Sequence, residues 1–155
     1  MKLYYVHPSV GVQHVHPGSS LAVSTLSDAE LGESWNRLPD DEKQRLEDDF
    51  FQGVLRFFSD QGDTRFIADL PFKEDRLRLR NAAESQGVDI RIDRSVLSGP
   101  LIRELISPLV ATNPVELEVL VGGSPRLDMH DGWTGVRVRL TDEELQSLSR
   151  MLGRE

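Results

Sequence analysis

The feature that most constrains this chain is a broad apolar stripe at helical spacing. Leu46, Phe50, Val54, Phe57 and Phe58 recur at intervals of four, four, three and one, and Phe51 and Leu55 widen the stripe. Asp40, Asp41 and Glu42 open the segment, where carboxylates favour the positive end of a helix dipole, and Gly62 supplies a stop. The spacing predicts a helix from Asp40 to Gln61 with one face deep in a core. Gly53 falls inside it, where glycine costs about 1 kcal/mol against alanine, and this predicts a neighbour packed too closely for a side chain.

A helix with that face needs a partner, and the rest of the sequence offers strands. Val115, Leu117, Val119 and Val121 alternate with Glu116, Glu118 and Leu120, while Val136, Val138 and Leu140 alternate with Arg137 and Arg139. If these two strands lie antiparallel side by side, Glu116 and Glu118 face Arg137 and Arg139, about 0.2 to 1 kcal/mol per pair. Residues 3 to 6 and 126 to 130 read as further short strands, and Gly122-Gly123 and Asp131-Gly132 as turns. Residues 65 to 93 read as strand, helix and strand, with Phe66 to Leu70 extended, Lys73 to Gln86 helical, Gly87 as left-handed cap and Val88 to Ile92 extended.

Two capping boxes mark helix starts. Ser27 with Glu30 opens a helix carrying Leu31, Trp35 and Leu38 and closed by Pro39; Thr141 with Glu144 opens a terminal helix through Leu145, Leu148 and Leu152. Pro100 and Pro108 bound a short helix, and His7 to Ser20, with Pro8, Gly11, Pro17 and Gly18, read as a turn-rich or mobile loop. The expected fold is a single α+β domain over residues 1–155, with about four helices on a mixed or mainly antiparallel sheet of five to six short strands. A length of 155 residues suits one core burying roughly 70% of the unfolded surface.

Composition removes several function classes. There is no cysteine, hence no disulfide framework, thiol nucleophile or thiolate metal site. The net charge of -8 opposes non-specific attraction to nucleic-acid phosphates or anionic lipid. No apolar run approaches the roughly 18 to 20 residues of a membrane helix, and residues 3 to 6 are too short for a secretory core. A cytoplasmic location without a membrane partner is therefore expected. The phosphate loop, dinucleotide fingerprint, zinc-protease helix and hydrolase elbow are all missing, and no cofactor is expected.

Three groups remain as candidate sites. His14 and His16 point to one side of an extended segment, and with His7 they form a candidate metal site. Arg76, Arg78 and Arg80 form a basic stretch suited to phosphate contact, although Glu74 and Glu84 stand at ion-pair spacing and no aromatic residue is present for base stacking. The acidic run Asp40, Asp41, Glu42, Glu47, Asp48 and Asp49 reads as a helix start and solvated face, with a divalent-ion site or, if the charges lie in an exposed row, a mimic of nucleic-acid phosphates as the alternatives.

With no reactive constellation in the sequence, the favoured reading is a non-catalytic accessory protein that binds another macromolecule, most simply a protein. A regulator, inhibitor, immunity factor or assembly component of bacterial or phage type would fit, the origin resting on size and on 15 Arg against three Lys. Phe51 and Leu55, if left over from core packing, would serve binding or homo-oligomer formation. The alternatives are a metal-dependent enzyme built on His14 and His16, and a nucleic-acid binder using Arg76, Arg78 and Arg80.

Overall fold

The computed structural model describes residues 1–15, 21, 25–61, 64–69, 73–74, 77, 81, 95–97, 116–130 and 135–153. The first strands are β1 (Lys2–His7) and β2 (Gly11–His14), followed by the helices α1 (Asp28–Leu31), α2 (Glu33–Asn36) and α3 (Asp40–Ser59). Then come β3 (Thr64–Asp69), β4 (Ser95–Leu97), β5 (Glu116–Val121), β6 (Ser124–Met129), β7 (Val136–Leu140) and the terminal helix α4 (Asp142–Met151). The strands form one seven-stranded sheet in the order β2-β1-β7-β6-β5-β3-β4. Every pairing is antiparallel.

The fold class is thus α+β, as the alternating patterns imply. Leu117 and Val119 of β5, Leu127 and Met129 of β6, Val136, Val138 and Leu140 of β7, and Tyr4 and Val6 of β1 point to one face. They meet Phe50, Phe51, Val54, Leu55, Phe57 and Phe58 of α3 and Leu148 of α4 in one apolar cluster. Each of these side chains contributes roughly 1.5 to 3 kcal/mol by leaving water. Thr64 ties the end of α3 to the start of β3 by donating its hydroxyl to the carbonyls of Phe58 and Gln61, at 2.8 and 3.0 Å.

Several expectations change. The predicted helix after Ser27 is two single turns, because Gly32, at φ 90°, both closes α1 and opens α2. Only Trp35 of its apolar stripe is buried, with Leu31 and Leu38 half-buried. Part of the expected loop after His7 is the ordered strand β2, and Val15 follows it into a buried position, its amide donating to the Leu3 carbonyl at 2.9 Å. Strands β2 and β4 were not anticipated. They bring the described strand count to seven where five to six were expected, even though the predicted strand over 88–92 and helix after Pro100 lie outside the described residues. Lys73, Glu74, Leu77 and Asn81 are helical, as the pattern over 73–86 implies.

The pairing proposed between residues 115–121 and 136–140 does not occur. Gly122 and Gly123, with φ of 58° and 84°, make a two-residue turn that folds β6 back onto β5, so β6 separates β5 from β7. Across the ladder Arg137 therefore faces Asp128, and Asp128 faces Glu118.

Both capping boxes form as expected, with Ser27 and Thr141 accepting the amides of Glu30 and Glu144. The Glu30 carboxyl is held below the usual carboxylate range, first by the Ser27 backbone amide and then by the Ser27 hydroxyl. A depressed pKa adds stability above the carboxyl's unfolded pKa and loses it as pH falls through the folded one. Gly53 has the predicted close neighbour: a Cβ built there would stand 2.7 Å from Leu152 Cδ2.

Gly53→Ala should therefore gain less than the roughly 1 kcal/mol of helix propensity on its own. In a Leu152→Ala background the full gain should return, as a double-mutant cycle by urea denaturation would show. Equal effects of Gly53→Ala in both backgrounds would mean that the contact does not constrain the crossing of α3 and α4.

Candidate functional site

Three places concentrate polar groups. The first lies where the β1–β2 turn meets the helices. His7 is fully buried, edge-on to Trp35 at 4.7 Å between ring centroids and to Phe51 at 6.3 Å. The Ser9 amide donates to its Nδ1 at 3.1 Å, and the Ser9 hydroxyl oxygen lies 2.8 Å from the same nitrogen. Because Nδ1 accepts, the ring proton lies on Nε2, which donates to Glu47 Oε1 at 3.4 Å. A serine, an imidazole and a carboxylate thus stand in one chain.

The second place joins β6 to α4. Pro125 cannot donate to the ladder, and the register slips between Val119 and Leu120, leaving Arg126 in a bulge. Its side chain is 7% exposed, donates from Nε to the Arg139 carbonyl at 2.9 Å, pairs with Glu144 and lies 5.8 Å over the Phe58 ring. Glu144 serves two partners, its Oε1 closing the capping box on the Thr141 amide and its Oε2 taking Arg126. A buried ion pair thereby fastens α4 to the sheet.

The third is the sheet face turned away from α3. Tyr5, Glu118, Asp128, Arg137 and Arg139 alternate with the core residues and so share this face. Arg137, 8% exposed, donates to the Tyr5 hydroxyl at 2.5 Å, with its guanidinium 4.7 Å from the ring centroid. Beside it a groove of about 620 Å³ is lined by Met1, Leu21, Glu118, Pro125, Asp128 and Arg139, among others. At the end of the β5–β6 pair the exposed side chains of Glu116 and His130 meet at 2.6 Å between Oε1 and Nδ1.

The residues singled out in the sequence fall differently. His7 and His14 do not converge: His14 sits opposite Tyr4, three residues before His7 on β1 and about 10 Å away at strand spacing, with its ring edge-on to Tyr4. No group of three metal-ligating side chains gathers among the described residues, and His16 lies outside them. Arg76, Arg78 and Arg80 also lie outside them. Phe51 and Leu55 are each 1% exposed, so they are core residues and offer nothing to a partner; α3 is enclosed on that side by both sheet and neighbouring helix. In the acidic run, Arg45 stands between Glu42 and Asp49, at 3.6 and 3.9 Å, and Glu47 turns inward to His7. The unbroken row of exposed carboxylates that mimicry needs is interrupted.

Sequence reasoning missed Arg126, although a proline inside a strand pattern was the available signal for a bulge. The His7–Glu47 contact spans forty positions and leaves no local trace. No known family model, curated protein or solved structure matches this chain.

Glu144→Gln keeps the capping acceptor but leaves the Arg126 charge buried, and should cost about 1.5 to 3 kcal/mol by urea denaturation. Adding Arg126→Met should restore much of that loss, since removing both charges is cheaper than stranding one. A double variant as unstable as the single one would show that the pair contributes beyond its own charges.

Proposed function

We propose that this protein is a non-catalytic accessory protein of the cytoplasm that binds a protein partner through the sheet face opposite α3. The observation carrying this reading is the groove beside Glu118, Asp128 and Arg139, in which both signs of charge lie next to the apolar side chains of Met1, Leu21 and Pro125. Apolar contact supplies affinity there, and the alternating charges supply register and exclude wrong partners. Two carboxylates beside Arg139 disfavour a phosphate backbone on this face, and the net charge of -8 acts in the same direction. No described helix is long and apolar enough to cross a membrane. The bacterial or phage type expected from the sequence belongs to this proposal.

Affinity capture from the native cell tests it, with wild type, Glu118→Lys/Arg139→Glu and Arg37→Glu compared side by side. The control replaces a residue 79% exposed whose ion pair is with Glu33 on its own helix. One protein should be held by wild type and by the control and lost, by about tenfold or more, with the double reversal. Equal retention by all three would place any partner elsewhere and end this reading of the groove.

A further inference from the structure

The outward face of α3 carries charges in an order that neither the core nor the proposed binding face requires. At about 100° per residue, Arg45, Asp49, Arg56 and Asp60 fall within a stripe about 60° wide, on the side of the helix opposite Phe51, Val54 and Phe58. All four residues are exposed, Arg45 and Asp49 with 62% and 74% of their side chains in solvent. Arg45 has partners on its own helix, Glu42 at 3.6 Å and Asp49 at 3.9 Å. Both contacts are solvent-exposed, and the second runs in the less favourable order along a helix, so they compete weakly with charges brought from outside.

The order of the four charges is self-complementary. Spacings of four, seven and four, with signs plus, minus, plus and minus, read the same when the stripe is turned end for end and its signs are reversed. A two-fold axis beside Gln52 and Gly53 therefore sets Arg45 against Asp60 of a second copy and Asp49 against its Arg56, and symmetry repeats both contacts. Other alignments fail. Slipping the two helices by one turn brings Arg45 onto Arg56 or Asp49 onto Asp60, and a parallel arrangement lays like charge on like. Along one flank of the stripe runs a groove of about 570 Å³ between α3 and the end of α4, lined by Asp49, Gln52 and Arg56 and by apolar groups that include Leu46 and Met151. Met151 is 42% exposed, so apolar surface for contact lies beside the charges that set the register.

We infer that α3 is a self-association surface: two copies of this chain pair their outward α3 faces antiparallel across a two-fold axis at Gln52 and Gly53. Two pairs of Arg45 with Asp60 and two of Asp49 with Arg56 fix the register over residues 45 to 60, about 22 Å of helix. Exposed ion pairs are individually weak and screened by salt, so the dimer forms with rising concentration and dissociates with rising ionic strength. The far face of the sheet stays open in such a dimer. The site therefore goes beyond the binding reading and does not rest on it.

Sedimentation equilibrium of the full chain up to about 0.5 mM tests this, because even a millimolar association is visible there. At about 10 mM ionic strength the mass should climb with concentration from 17.5 kDa toward twice that value, and about 1 M salt should return it toward the monomer. Asp49→Arg and Arg56→Asp should each remain monomeric, since each sets like charges against one another at both 49–56 contacts. An equimolar mixture of these two variants should regain the dimer, about tenfold or more tighter than either alone, because every contact again joins opposite signs. Arg45→Asp mixed with Asp60→Arg repeats the test at the outer contacts, so a single variant with a disturbed fold does not decide the result. A wild-type chain that stays monomeric throughout would overturn the dimer. Undiminished association of Asp49→Arg or Arg56→Asp alone would overturn this face, and mixtures no tighter than their components would overturn the antiparallel register. The masses are read on purified chain without the partner captured in the earlier experiment, so the two readings fail separately.

Discussion

Everything else in this molecule depends on α3 covering one face of the sheet. An antiparallel sheet with apolar residues on one side is unstable until that side is closed, and among the described residues α3 is the one helix long enough to span several strands. Its aromatic side chains reach β1, β5, β6 and β7, so strands that are remote in the sequence share a single core. The absence of a side chain at Gly53 lets Leu152 approach the α3 backbone and brings α4 down on the same face. The N-terminal strand then lies directly against β7, just before the terminal helix, so both ends of the chain close around one layer.

That arrangement divides the polar residues into two kinds. Those drawn toward the helices have been given fixed partners: Arg126 is held by Glu144 and the Arg139 carbonyl, and His7 by Ser9 and Glu47. A guanidinium enclosed at this depth is costly unless paired, and a buried imidazole is costly unless its nitrogens are hydrogen-bonded. Those on the far face of the sheet form a row of mixed sign instead, in which Arg137 stacks on Tyr5 and Asp128 stands between Glu118 and Arg137. Asp128 opposite Arg137 adds about 0.2 to 1 kcal/mol to a register that the core sets on the other side, while Asp128 opposite Glu118, of like sign, works against it.

Legibility in the sequence followed the range of the interaction. Local signals were sufficient for α3, for both capping boxes, for the Gly122-Gly123 turn and for the close contact at Gly53, because each is written in spacing over fewer than about twenty residues. The single helix expected after Ser27 failed at Gly32, where a positive φ ended it against an otherwise good apolar stripe. Strand order was illegible for a plainer reason: alternation shows that a strand has a buried face but not which neighbour it takes. Here a tight turn inserted β6 between the two strands whose charges had seemed to match. Phe51 and Leu55 looked surplus only because the width of the surface covering α3 is a tertiary property.

The His7 cluster shows what such long-range placement adds. Within the sequence, His7-Pro8-Ser9 is only the start of a loop, and Glu47 is one carboxylate in an acidic run. Once β1 pairs with β7 and α3 lies across the sheet, the turn after β1 is pressed against α2 and α3, and the acid that happens to face it becomes its partner. The histidine is then oriented from three sides: by its own turn, by an aromatic ring of α2 and by a carboxylate of α3. Replacing any one of these elements leaves the other two correct in sequence and wrong in space. For this reason the orientation of the His7 ring is a property of the assembled core and not of the segment that carries the imidazole.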